Sequence, residues 1–544
     1  MESQETEETI LTHAGYPNPH RTGFKAADAA CQLQADASKL EETKSLQTAK
    51  AAEEQQNAAA SRAAKAAEAL VSSCTETLLS KQVLWQQAFI SELEKAEEEL
   101  AVEEAGSEHD EAFDDEEALQ RLLDSIAPCS STYSVSVSQS AERQRVDGSS
   151  ERWTAVKGQQ LALKSVEEDS CLLLVSNFLF TPESDREESH CLLKRDGQSI
   201  SSTFSGYSRQ RAWSHHVCLP WLDQPGKLAE FEYQVVANAG RHGCHAVIGE
   251  KKERRQFLGL TLPACQVSWV QDDEVLGLPP GPWRDVNGLH EVIATLPGEK
   301  VLVLCTMHYV ANWSSELNRG RFTIVRDDVG LDGLADRGLQ SVRSLGPSQA
   351  RTLVMATIDE PPPGPHLYRT RAALTTGDES GVSATLQKER QLVLVRLPGH
   401  LVIGPMRPTE PTEITEGSWT EIPGMSLTCG LRRPRDRVLL VYHIDCSPLS
   451  HFYEAHFTIF RRKEASSAPA QNLGFSEDFG LDMVFSDYGA SSEYPAAFLV
   501  DTPGTQGPWT YYVAARVANL GTSRDNPPVV VGYSGSISAV LLTR

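Results

Sequence analysis

The 544-residue sequence has no CxxC pair and no uninterrupted apolar run of 18 residues, and its 74 Asp and Glu outnumber its 50 Lys and Arg. The first absence argues against paired-cysteine zinc sites. The second excludes a membrane-spanning helix. A net charge of −24 argues against polyanionic partners, since nucleic acid and anionic lipid both select an excess of Lys and Arg. The phosphate-cradling GxxxxGK[ST] and GxGxxG, the nucleophile elbow GxSxG and the zinc helix HExxH are all missing. The N-terminus begins with acidic residues where a signal peptide would be basic and then apolar, so the expected location is the cytoplasm.

The charge is unevenly spread. Residues 1–130 hold 27 Asp and Glu against 10 Lys and Arg, a charge of −17, which leaves −7 for the remaining 414 residues. The eleven cysteines, an odd number, rarely fall at matching places in the repeats described below. A secreted disulfide framework would repeat with its domain, so free thiols in a reducing compartment are expected.

Residues 1–25 contain Gly15, Pro17, Pro19 and Gly23 with little apolar material, and predict a flexible tail. From Ala26 to Ala105 there is no Pro or Gly, and Ala, Glu, Gln and Lys dominate, which predicts a long helix. Leu79, Val83, Ile90 and Leu93 recur at helical spacing with Trp85 and Phe89 beside them, a candidate docking stripe. A shorter amphipathic helix follows, and the helical segment spans 26–127. An isolated Ala-rich helix is marginal in water, so this arm is expected to pack on a protein partner, on a second copy or on its own body.

After residue 131 short β-rich runs alternate with Gly, Pro, Asp and Ser clusters, and five landmarks recur three times in one order. The first is a tryptophan, at Trp153, Trp283 and Trp419. An apolar strand follows 18, 18 and 19 residues later, CLLLV from Cys171, VLVLC from Val301 and VLLVY from Val438. Then comes a strand ending in Arg195, Arg326 or Arg461. An Asp-x-Pro follows, Asp223/Pro225, Asp359/Pro361 and Asp501/Pro503, ahead of a strand bearing Tyr233, Tyr368 or Tyr511. The last is a terminal apolar strand. Three tandem antiparallel β-sandwiches are predicted, at 131–264, 265–404 and 410–544, which makes the chain mainly β behind a helical N-terminal segment. The pattern Trp, VLVL, FxIxRD, DxPGxxxYxVxA and a closing LxL strand resembles the jelly-roll modules of tumour-necrosis-factor-like and complement-head proteins, and those of viral and bacterial tail fibres. The resemblance implies a fold and a habit of display or assembly, with no catalytic residues.

The candidate sites have bland counterparts. Asp-x-Pro reads as a turn in which Asp accepts backbone N–H bonds and Pro presets φ. The tryptophans read as caps of the sandwich ends. The arginines read as partners of a carboxylate within each module, with a shared phosphate or partner-carboxylate site as the alternative. His190, His215, His216, His242, Cys244 and His245 lack the converging fourfold spacing of zinc, and Asp327, Asp328, Asp332 and Asp336 lack that of an EF-hand. Lys251–Arg255 reads as a solvated hairpin end. No cofactor, metal or catalytic residue is assigned. The expectation is a non-catalytic scaffold with a docking arm, in a cytoskeletal or ciliary assembly. The alternatives are a lectin-like glycan binder using loop aromatics Tyr207, Trp213, Trp313 and Tyr488, and thirdly an enzyme with a scattered site.

Overall fold

Apolar residues on every position of a strand, rather than on alternate ones, mean burial on both faces. The runs at Cys171, Val301 and Val438 have this pattern, and the architecture explains it. The computed structural model describes residues 133–542 except 149–152, 184–186, 202, 209–214, 241–243, 250–254, 312–318, 332–337, 344–349, 376–383, 415–416, 448–452, 465, 475–479, 487–495 and 520–528. The chain divides into two compact units, Met1–Phe113 and Asp114–Arg544. All the described residues belong to the second. The tail, the helices predicted over 26–127 and the stripe from Leu79 to Leu93 lie outside the described residues.

Each module is a pair of antiparallel sheets. In the first, Cys171–Pro182 is flanked by Arg255–Leu262 and His245–Ile248 along one edge and by His215–Asp223 along the other, with Ser134–Ser140 outside Arg255–Leu262 and Gln144–Asp147 outside His245–Ile248. The second sheet is Thr154–Lys164, Glu230–Asn238, Glu187–Arg195 and Gln198–Ser199, with Phe204–Ser208 also on Glu187–Arg195. The same order recurs around Glu299–Ala311 and Arg319–Arg326 in the second module, and around Arg437–Ser447 and Tyr453–Lys463 in the third. Single 3-10 turns, Ala264–Gln266 and Gly399–Leu401, join one module to the next. The third module therefore opens with the strand Val402–Met406, ahead of the expected residue 410.

The central strand of each module serves two cores. Leu172 and Leu174 face the first module's interior, Val301 and Val303 the second's, and Val438 and Leu440 the third's. The residues between them, Leu173, Val175, Leu302, Leu304, Leu439 and Val441, form one further core shared by all three modules. Each first sheet is thus sealed on its outer face by the other modules, and every residue of Cys171–Pro182 is buried.

Hydrogen bonds show how the modules are arranged. Asn177, Thr306 and His443 each stand five residues beyond the residue that pairs with Asp223, Asp359 or Asp501. Asn177 Nδ2 donates to the Phe498 carbonyl at 2.9 Å, and Thr306 Oγ1 donates to the Pro220 carbonyl at 3.0 Å. His443 lies against the Ala356 carbonyl. All three acceptors sit three residues before the Asp of the neighbouring module. Module one thus bonds to three and two to one; His443 takes the same place against module two, to which Arg407 Nη2 donates at the Leu331 carbonyl, 3.3 Å away, so the three modules close a ring with pseudo-three-fold symmetry. Gln256 repeats the cycle with the Val500 N–H and carbonyl, and Gln391 with those of Leu222. Each side-chain amide completes the free edge of a neighbour's strand, where an open edge would otherwise invite foreign pairing. Replacing the buried Gln391 by Leu leaves the Leu222 groups without these partners. It is expected to cost about 2 kcal/mol, read as a lower urea midpoint with unchanged slope.

Candidate functional site

The recurring Arg, Asp and Tyr come from distant parts of the sequence and meet at one place in each module. Asp223, Asp359 and Asp501 end a strand of the first sheet, while the Arg and Tyr lie side by side on neighbouring strands of the second. Arg195 Nη1 reaches Asp223 Oδ2 at 2.8 Å, and Tyr233 Oη donates to the same oxygen at 2.6 Å. The counterparts are 2.5 Å for Arg326 to Asp359 and 2.8 Å for Tyr368 to Asp359. In the third module they are 2.6 Å for Arg461 to Asp501 and 2.9 Å for Tyr511 to Asp501. The clamp bolts one sheet to the other at the sandwich end. Burial first, and then the Asp carboxylate, push all three tyrosine hydroxyls far above their ordinary pKa. A phenol held protonated beside a guanidinium is closed to proton transfer near neutrality.

This geometry corrects the turn reading of Asp-x-Pro. The carboxylate points into the module toward Arg and Tyr, and Pro225, Pro361 and Pro503 sit in the turns that follow. The arginine fork is occupied by that carboxylate in each module, so these positions do not form a shared phosphate site. Cations also cover the ring at the sandwich end: Arg195 lies 5.7 Å from the Phe231 centroid, and Arg461 5.3 Å from that of Trp509.

The other candidates disperse. Trp153, Trp283 and Trp419 are half-buried; Trp419 meets Phe460 edge-on at 5.9 Å. His190 pairs with Ser205, His216 with Asp482 and His245 with Asp147. Among the described residues no group of three His, Cys, Asp or Glu side chains could hold a metal. Asp327 and Asp328 fill a two-residue hairpin turn at φ of 48° and 71°, as Asp196 and Gly197 do at 50° and 82°. Asp327 pairs with His366 and Asp328 with Arg369. Arg255, expected at a solvated hairpin end, is instead buried and donates to the carbonyls of Lys157 and Glu142. No disulfide joins the eight described cysteines, and burial pushes Cys171 and Cys305 up to about 12. Trp213, Trp313, Tyr488 and the side chain of Tyr207 lie outside the described residues.

Sequence reasoning missed the ring residues Asn177, Thr306, His443, Gln256 and Gln391. The signal was present only for the glutamines, where Arg255-Gln256 and Arg390-Gln391 open equivalent strands.

No protein-family model and no curated protein sequence matches the chain. Among solved structures it is similar to PNGase F, a glycosylasparaginase from Flavobacterium meningosepticum, at 10% identity and TM-score 0.23 over 47% of this chain and 96% of that one. It is similar to the tandem CBM22 domains of Paenibacillus barcinonensis Xyn10C at 13% identity and TM-score 0.15, over 50% and 93% of the two chains. A protein of infectious bursal disease virus, Gx strain, is similar at 10% identity and TM-score 0.19, over 76% and 74%. Likeness of this degree assigns no family.

Proposed function

We propose that the protein is a non-catalytic scaffold, whose acidic N-terminal arm docks to protein partners or a second copy and whose three-module body presents rigid outer surfaces. The observation that carries this reading is how the repeated polar residues are used. Arg, Asp and Tyr hold the sheets together, and Asn, Thr, His and Gln hold the modules together. A body locked in this way maintains fixed spacing between surfaces, which suits a large stable assembly of cytoskeletal or ciliary type. Affinity purification from the source cell, with and without residues 1–130, tests it. Loss of partners on deletion is expected; unchanged partners would move docking to the sandwiches, and finding none in either form would overturn the reading.

One observation favours the glycan-binding alternative. On the outer sheet of the third module, Phe460 and Tyr512 stack at 5.5 Å beside Trp419, with the Arg516 guanidinium 6.0 Å from the Trp419 ring. The first module has Lys194 and Gln234 at the places of Phe460 and Tyr512, and the second has Val325 and Arg369. A glycan array that shows binding by the protein and none by Tyr512→Ala would establish this second reading.

A further inference from the structure

In every module one turn leads into the central strand: residues 165–170, 296–298 and 432–436. Its backbone is the same three times. An N–H to carbonyl bond closes it, from Ser170 to Glu167, Glu299 to Leu296 and Asp436 to Arg433, at 3.2, 3.1 and 3.1 Å. The side chain of the same closing residue, Ser170, Glu299 or Asp436, accepts the N–H of Glu167, Leu296 or Arg433. Three residues further on, Leu173, Leu302 and Leu439 enter the shared core, so the three turns stand around one end of that core.

The charges on these turns do not repeat. Module one carries Glu167, Glu168 and Asp169, all exposed, and module three carries Arg432 and Arg435, exposed on either side of Arg433-Pro434. Module two has the uncharged Leu296-Pro297-Gly298. Beside the acidic turn, Ser165 Oγ donates to the Lys227 carbonyl at 2.8 Å and accepts the Ala229 N–H at 3.0 Å, which brings the Leu228 segment against that of Val166. Leu228 and Val166 are 59% and 68% exposed, an apolar step at the edge of the acidic patch.

A two-fold axis perpendicular to a pseudo-three-fold axis exchanges two of the three positions and brings the third onto itself. Acid opposite base at the exchanged pair, with no charge at the position that faces its own copy, is the pattern such an axis requires. We infer that two copies of the chain dock end to end through these turns. The turn of module one meets that of module three in both directions, and the turn of module two meets itself. Each copy supplies both signs, so the complementary contact is made twice. The acidic segment 1–130 offers charge to the arginines alone and leaves the acidic turn of module one without a match. The inference goes beyond the scaffold reading and does not depend on docking by the arm.

Sedimentation of the full chain and of three charge-swapped variants tests it. A dimer is expected at about 10 µM in low salt, weakening as added salt screens the turns. Arg432→Glu with Arg435→Glu, or Glu168→Lys with Asp169→Lys, sets like charges together at both contacts and is expected to weaken dimerisation by about tenfold or more. All four substitutions in one chain restore opposite signs and are expected to return the dimer to within about threefold of the original dissociation constant. The four side chains are exposed, so unchanged melting temperatures are expected and show that each variant folds. A monomer in low salt, a dimer unmoved by either swap, or a combined variant no tighter than its parents would overturn the inference. Loss of the dimer on swapping the arginines alone, with the acidic swap silent, would assign the arginines to the acidic arm and overturn it as well.

Discussion

Asp501→Ala is expected to destabilise the protein by about 3 kcal/mol, because it leaves a largely buried guanidinium without its counter-charge. Arg461 then keeps only Gln471 as a side-chain partner in the clamp, and Tyr511 loses the acceptor for its buried hydroxyl. Tyr511→Phe removes a donor but leaves the ion pair intact, so its cost is expected near 1 kcal/mol. Urea unfolding of the two variants measures both. A loss under about 1 kcal/mol for Asp501→Ala would mean that water replaces the carboxylate and that the clamp is incidental. Equivalent results at Asp223 and Asp359 are expected, since the same three groups meet in each module.

Acid is expected to weaken the ring through His443. Burial first, and the nearby Arg407 cation second, lower its pKa from 6.5 to about 4, against the opposing pull of the Ala356 carbonyl. A histidine held neutral in the folded state binds its proton more readily when unfolded. Its contribution is therefore fully present above about pH 6.5 and is lost as pH falls toward 4. The shift corresponds to about 3 kcal/mol across that window. His443→Asn installs the residue that module one has at this place and is expected to remove that part of the acid sensitivity. Urea midpoints at pH 7, 5.5 and 4.5 for both proteins give the comparison. Parallel pH curves would contradict the assignment.

The two predictions rest on features of unequal visibility in the sequence. The clamp residues were found by spacing alone, because a charged pair inside a sandwich restricts both side chains in every copy. Their joint role was hidden: Asp-x-Pro mimics a turn signal, and contact between Arg195 and Asp223 depends on which sheet each strand enters. The ring was harder to see, because its acceptors are backbone carbonyls that leave no mark on the sequence. The residues at its three equivalent places, Asn177, Thr306 and His443, share only a polar side chain. The uninterrupted apolar runs were read only as strands of a sandwich; their burial on both faces went unread, because what covers the second face is the other two modules, which a module-by-module reading could not supply.

Coupling between the modules is tested most directly by native-state hydrogen exchange on the intact protein and on its Gln391→Leu variant. That substitution touches only the junction of modules one and two. If the three modules close one ring over a shared core, protection should fall by a similar amount in Cys171–Pro182, Glu299–Ala311 and the distant Arg437–Ser447. Full protection retained in Arg437–Ser447 while the second module opens would show three sandwiches that unfold separately.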